Sequence, residues 1–175
     1  ANTLLEEAAS LEGATAAEVQ RITAEAKFIR ALSHYHVVRI WAQPYGYTLD
    51  NSHLGVPLKL SADQTPQMRA TVAEVYAAIE QDLLDAEQDL PVDNGIFANQ
   101  MAAKALLAKV YLEMADFSSA KTKALEVINS GVYALEQDLT KRFNDHANGS
   151  LPAEFIFTLV STNEVVGGDT LVDER

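Results

Sequence analysis

The stretch "AAKALLAKVYLEMADFSSAKTKALEVINSGVYAL", Ala102 to Leu135, constrains the fold more than any other part of the chain. Ala103, Leu107, Val110 and Met114 recur at helical spacing; a polar turn at Asp116 to Ser118 follows, and Ala120, Ala124, Val127 and Ile128 restore the period. So short a connection makes the two helices antiparallel neighbours, an αα-hairpin, with Gly131 placed to cap the second. Leu107, Ala108, Tyr111 and Ala120 fall at tetratricopeptide spacing: the two alanines let the backbones approach and the tyrosine fills beside them.

Two further helices are announced by capping boxes, Thr15 with Glu18 and Thr71 with Glu74, in which side chains satisfy the free amides of a first turn. The first runs from about Ala16 to about Ala42, with overlapping stripes at Ile22, Ala26, Ile29 and at Phe28, Leu32, Tyr35, and Pro44 ends it. The second carries Val72, Val75, Ile79, Leu83, Ala86 and Leu90 to Pro91, and the helix of the hairpin opens near Asn99. Between the first two, residues 43–70 hold three prolines and two glycines with no sustained period, and so long a connection is a first place to look for a site. "EFIFTLV", Glu154 to Val160, has the aromatic and β-branched content of a short strand, and residues 161–175 form a polar tail. The expected fold is all-α, a tetratricopeptide-like helical repeat (α-solenoid) with long loops and a short C-terminal strand, in one domain over residues 1–175.

Acidic residues outnumber basic ones 25 to 13, a formal charge of -12 that repels nucleic-acid phosphates and anionic membrane surfaces. Charges such as Lys104 and Lys109 interrupt the richest apolar segment well short of the ~20 residues a membrane helix needs. There is no cysteine, hence no disulfide and no thiolate nucleophile or metal ligand. The start "ANTLLEEAAS" has no initiator Met and no leader, and reads as a piece of a longer chain.

Candidate chemistry is sparse. Asp82, Asp85 and Asp89 share a helix face, which reads as solvated surface rather than a metal or catalytic site. His34 and His36 are two residues apart, about 200° around a helix, so they cannot share an ion; one is expected inside and one near the surface. Arg30 and Arg39 are expected to pair with acids or to reach water by their tips. No catalytic triad, metal motif, phosphate loop or cofactor motif occurs, so no catalytic residue, metal or cofactor is assigned. Trp41, Tyr45 and Tyr47 are different, because sugar C–H faces lie on aromatic rings while hydroxyls seek partners such as Asp50, Asn51 and His53 in the same loop. The alternative is that Trp41 completes the helix's core face and the tyrosines anchor the loop.

Taken in order, five segments resemble the SusD/RagB family of cell-surface glycan-binding lipoproteins: "EAKFIRAL" (Glu25 to Leu32), "GVPL" (Gly55 to Leu58), "TVAEVYAAIEQDL" (Thr71 to Leu83), the hairpin from Ala102 to Leu135, and "EFIFTL". The resemblance implies a non-catalytic protein on the outer face of the outer membrane, held by a lipidated N-terminal cysteine that this sequence lacks. It further implies capture of oligosaccharide for a SusC-like TonB-dependent transporter, with the loop from Trp41 to His53 as the part that touches glycan: Trp41, Tyr45, Tyr47, Asp50, Asn51 and His53. Family members are considerably longer, so the chain is expected to be part of the repeat-bearing half. A tetratricopeptide-like scaffold that binds a protein partner in its groove is the competing reading.

Overall fold

The computed structural model describes residues 1–137 and 153–158. Among these residues there are five α-helices and one small sheet: α1 (Asn2–Glu7), continued by a 3₁₀ turn at Ala8–Ser10, then α2 (Ala16–Trp41), β1 (Leu54–Pro57), β2 (Arg69–Thr71), α3 (Val72–Asp89), α4 (Gln100–Glu113) and α5 (Phe117–Asn129). The fold is mostly helical, as expected.

Helix starts follow local chemistry. Both capping boxes form, Thr15 with Glu18 and Thr71 with Glu74, and the Asn99 side chain accepts from the Ala102 amide at 2.9 Å to open α4. The α4–α5 turn places Ala115 at φ 59, and Asp116 caps α5 by accepting from Ser119. Past the end of α5, Gly131 takes φ 67, a left-handed geometry that glycine adopts without a Cβ penalty.

Cross-helix pairs set the packing order. Gln20, Lys27 and Arg30 on α2 meet Asp89, Asp85 and Asp82 on α3, so the residue numbers run in opposite directions and the helices are antiparallel. Tyr76 with Glu113, Glu80 with Tyr111 and Glu87 with Lys104 make α3 and α4 antiparallel in turn, and Lys104 with Glu126 does the same for α4 and α5. The result is an up-and-down helical row, with α5 packed mainly on α4 and reaching α3 through Lys123, whose ammonium donates to both Glu87 carboxylate oxygens at 2.7 Å.

The core runs between these helices through Phe28, Val38, Val72, Val75, Ile79, Leu83, Leu107 and Val110, all fully buried. Every apolar position read on α3 is buried, and on α4 Ala103, Leu107 and Val110 are too. Two positions read as core are exposed: Ile29 on α2 and Ile128 on α5. Ile29 borders a surface cavity, and α5 packs mainly against α4.

Three readings of the sequence need correction. The acidic row on α3 is not solvated surface: Asp82 is only 5% exposed and takes two hydrogen bonds of 2.7 Å from Arg30, and the Lys27 ammonium holds the Asp85 carboxyl below its ordinary range. It is an interhelical ladder, and among the described residues no acidic or histidine group of three could hold a metal. Residues 154–158 of the expected strand form turn and irregular backbone; Phe157 packs edge-on against Phe28 at 5.0 Å instead of extending a sheet. Residues 159–160 of that segment and the tail 161–175 lie outside the described residues. Finally, residues 43–70 are closed at their base by β1 and β2, antiparallel with Leu54 opposite Thr71 and Pro57 opposite Arg69. Gly55 allows this, since a Cβ there would meet the Ala70 carbonyl oxygen at 3.0 Å.

Candidate functional site

The loop after α2 is built from hydrogen bonds that its own residues supply. Asn51 adopts φ 55, tolerable for asparagine, and its Oδ1 accepts from the Gly46 amide at 2.5 Å. Its amide donates to the Thr48 carbonyl at 3.1 Å and its carbonyl accepts from Ala73 at the start of α3, so Asn51, 7% exposed, ties the loop to that helix. His53 completes the frame. Its Nε2 lies 3.3 Å from the Gln43 carbonyl and its Nδ1 2.9 Å from the Thr48 hydroxyl, so in the neutral ring Nε2 donates and Nδ1 accepts.

The six residues singled out from the sequence therefore divide. Asn51 and His53 shape the loop. Tyr45 is partly buried on the core and packs edge-on against Tyr76 of α3 at 4.9 Å. Tyr47 leans its ring edge-on against His53 at 5.3 Å yet remains 62% exposed. Asp50 is exposed, and hydrogen bonding from Ser52 holds its carboxyl below the usual range. Trp41, the last residue of α2, is 72% exposed. Trp41, Tyr47 and Asp50 are the three of the six whose side chains stand exposed.

Beside this loop the ends of α2 and α4 and the start of α3 enclose a cavity of about 310 Å³, lined by Val38, Arg39, Ala42, Gln43, Pro44, Tyr45, Tyr76 and Glu113. Its polar wall is a cluster centred on Glu113. The carboxylate accepts from the Tyr35 hydroxyl at 2.9 Å and from the Tyr76 hydroxyl at 2.8 Å, and Arg39 Nε lies 2.7 Å from Oε1. The Arg39 guanidinium also sits over the Tyr35 ring, 4.9 Å from its centroid. Burial, then the bond to Glu113, pushes both tyrosine hydroxyls far above their ordinary pKa, so they stay protonated donors. Sequence reading placed Arg39 in an ion pair but missed Glu113 and Tyr76, because nothing local links residues 37 or more positions apart.

Other groups do not make a site. His34 is buried as one of the two histidines was expected to be, its Nδ1 without a hydrogen bond, while His36 is exposed. Arg30 is occupied by Asp82, Asn2 and the Leu60 carbonyl. A larger cavity of about 420 Å³ lies between Leu4, Ile29, Ile96, Phe97 and Phe157, but its wall is apolar apart from Glu25 and Thr158 and offers a hydroxyl-rich ligand few partners.

Comparison with known proteins agrees with the helical repeat. A family model described as SusD-like, starch-binding and associating with the outer membrane, matches residues 1–112. A SusD-like protein of Formosa agariphila, P2, is 31% identical over 148 residues, covering 81% of this chain and 28% of its own. The crystal structure of a SusD superfamily protein from Bacteroides thetaiotaomicron superposes with a TM-score of 0.79 at 30% identity, over 92% of this chain and 36% of that one. A laminarin-binding SusD-like protein gives 0.64 at 27% identity, over 82% and 32%. The chain thus spans just over a quarter of the length of the curated relatives it matches. With its helical row, its framed loop and a family match over 112 of 175 residues, the chain belongs to the SusD-like family.

Proposed function

We propose that this chain is part of a non-catalytic protein that binds oligosaccharide at the cell surface, and that the end of α2 with its loop supplies glycan contacts. The observation that carries the reading is Trp41: a tryptophan 72% exposed at the end of α2. Large rings left in water are suited to stack on a sugar face. Tyr47 and Asp50, exposed on a loop held by Asn51 and His53, supply a second ring and an acceptor on a rigid frame. Family membership and the laminarin-binding relative support carbohydrate as the cargo. The reading further includes, as proposals, a position at the outer membrane, an N-terminal lipid anchor and delivery of glycan to a SusC-like TonB-dependent transporter; the family's description as associating with the outer membrane supports the first of these.

The test is calorimetric titration of the full-length protein with laminarin and starch oligosaccharides, comparing Trp41→Ala with wild type. One ring face hides roughly 100 Å² of apolar surface, about 2.5 kcal/mol at ~25 cal/mol per Å² before ordering costs, so a tenfold or greater loss of affinity is expected. Unchanged affinity in a folded variant removes Trp41 from the site.

A second reading, a protein-interaction scaffold, is favoured by one observation. The outer face of α4 and α5 exposes Leu112 and Phe117 beside Ala108, Ala120 and Ala124, an apolar groove of about 370 Å³ rimmed by Lys109 and Lys121. Binding of a helical peptide there, with no glycan bound by the full-length protein, would favour it.

A further inference from the structure

We propose that the cavity between the ends of α2 and α4 is a subsite for one uncharged sugar residue, in which Arg39 and Gln43 hydrogen-bond adjacent hydroxyls of that residue. This inference rests on the oligosaccharide-binding reading and deepens it by naming a ligand class and the residues that select it.

The argument begins with what is already occupied. Arg39 spends Nε on Glu113 at 2.7 Å and its face on the Tyr35 ring, which fixes the guanidinium plane. Its two terminal nitrogens make no hydrogen bond within the described residues, and its side chain is nearly half exposed. A planar fork with donors free and geometry already set loses little entropy on capturing two oxygens. Gln43 adds both hydrogen-bonding senses: its backbone carbonyl faces His53, while its side-chain amide has no partner within the described residues and lines the cavity. Pro44 and the Tyr45 ring, the latter braced against Tyr76, form an apolar wall.

Charge decides between the two oxygen sources a guanidinium fork can take, a carboxylate and a pair of hydroxyls. Arg39 is neutralised by Glu113 at contact distance, and the chain as a whole carries -12, so a uronate would enter against an adjacent carboxylate and a negative field. Neutral hydroxyls meet no such repulsion, and each can both donate and accept, which suits the mixed set of guanidinium donors, amide and carboxylate. A volume of about 310 Å³ lies at the lower end of the ~300–1,000 Å³ typical of small-molecule pockets, enough for one polar unit rather than a buried chain. Val38, Arg39, Ala42 and Gln43 line the cavity whereas Trp41, about 200° around α2 from Arg39, does not, so a sugar in the cavity and one stacked on that ring are separate units of one oligosaccharide that passes the end of α2.

The experiment titrates the full-length protein with laminarin oligosaccharides, maltooligosaccharides and oligogalacturonides, using wild type, Arg39→Lys, Gln43→Ala and Trp41→Ala, with circular dichroism and thermal midpoints as folding controls. Expected are binding of a neutral oligosaccharide, oligogalacturonide weaker by about tenfold or more, and losses of about tenfold for Arg39→Lys, which keeps charge but not the fork, and about threefold to tenfold for Gln43→Ala. Gln43→Ala alters no contact of the fold, so it decides the matter if Arg39→Lys disturbs the Glu113 cluster. If Trp41→Ala weakens binding while Gln43→Ala and folded Arg39→Lys do not, the subsite is wrong and the oligosaccharide reading stands. If oligogalacturonide binds more tightly than the neutral oligosaccharides, the uncharged ligand class is wrong. If no member of the set binds wild type, the underlying reading falls and the subsite with it.

Discussion

Replacing Asp82 by asparagine removes one charge from the most buried of the three α2–α3 rungs without changing its shape. In wild type the two carboxylate oxygens each accept a 2.7 Å hydrogen bond from Arg30, and Asp82 is 5% exposed. Breaking one side of a buried pair costs about 3–5 kcal/mol, because the surviving charge stays out of water. Here that figure is an upper limit, since Arg30 is partly exposed and keeps Asn2 Oδ1 and the Leu60 carbonyl as acceptors at 3.2 Å each. The expected cost is therefore about 2–3 kcal/mol. With a urea m-value of about 2 kcal/mol/M, typical of a small domain, the midpoint falls by about 1–1.5 M. Asp89→Asn is the internal control: it touches only the exposed Gln20 bond and costs less than about 0.5 kcal/mol. Urea denaturation of the two variants, followed by circular dichroism, compares them directly. Equal midpoints for Asp82→Asn and Asp89→Asn refute the claim that the acidic row is an interhelical ladder with a buried rung.

Three other perturbations probe the frame. His34 is buried, and desolvation, partly offset by the Asp82 charge, holds its pKa below 6.5. The unfolded chain binds this proton more readily than the folded one, so stability is complete above pH about 6.5 and declines as pH falls toward the folded pKa; His34→Gln should flatten that decline in thermal midpoints taken between about pH 7.5 and about pH 5. Asn51→Ala removes the acceptor for the Gly46 amide and places alanine at φ 55, so it should cost about 2 kcal/mol, whereas Asn51→Gly relieves only the backbone part; denaturation midpoints in that order bear this out, and equal midpoints count against it. Gly55→Ala drives a Cβ to 3.0 Å from the Ala70 carbonyl oxygen, and backbone cannot yield as a side chain can; a loss of about 1–3 kcal/mol is expected, with accelerated hydrogen exchange at β1 and β2.

What was legible in the sequence was local. A capping box is four residues long, and Thr15–Glu18 and Thr71–Glu74 announced their helices to the residue; the tetratricopeptide spacing from Leu107 to Ala120 announced the hairpin. Contacts across the sequence left no such mark. Asp82, Asp85 and Asp89 read as surface because an acid on a helix face is the same string whether water or a cation of the next helix lies over it, and the partners sit 52–69 residues away. "EFIFTLV" has strand composition, but a strand also needs an edge to pair with, and at Phe157 the apolar face of Phe28 is the partner instead. At the candidate site, composition identified the loop but not the division of labour inside it. Asn51 and His53 look like sugar partners by type, and only their bonds to Gly46, Thr48 and Gln43 reveal that they hold the frame.

Trp41 is the single tryptophan in the sequence, so its emission reports on the proposed stacking with no other indole in the way. The decisive measurement is the fluorescence of this chain, with acrylamide quenching, during titration with an oligosaccharide whose binding is established by calorimetry. The account predicts a saturable blue shift and protection from quenching that track the calorimetric isotherm, because a ring 72% exposed in the free protein becomes covered by sugar. A calorimetric isotherm that saturates while Trp41 emission and quenching stay unchanged contradicts it.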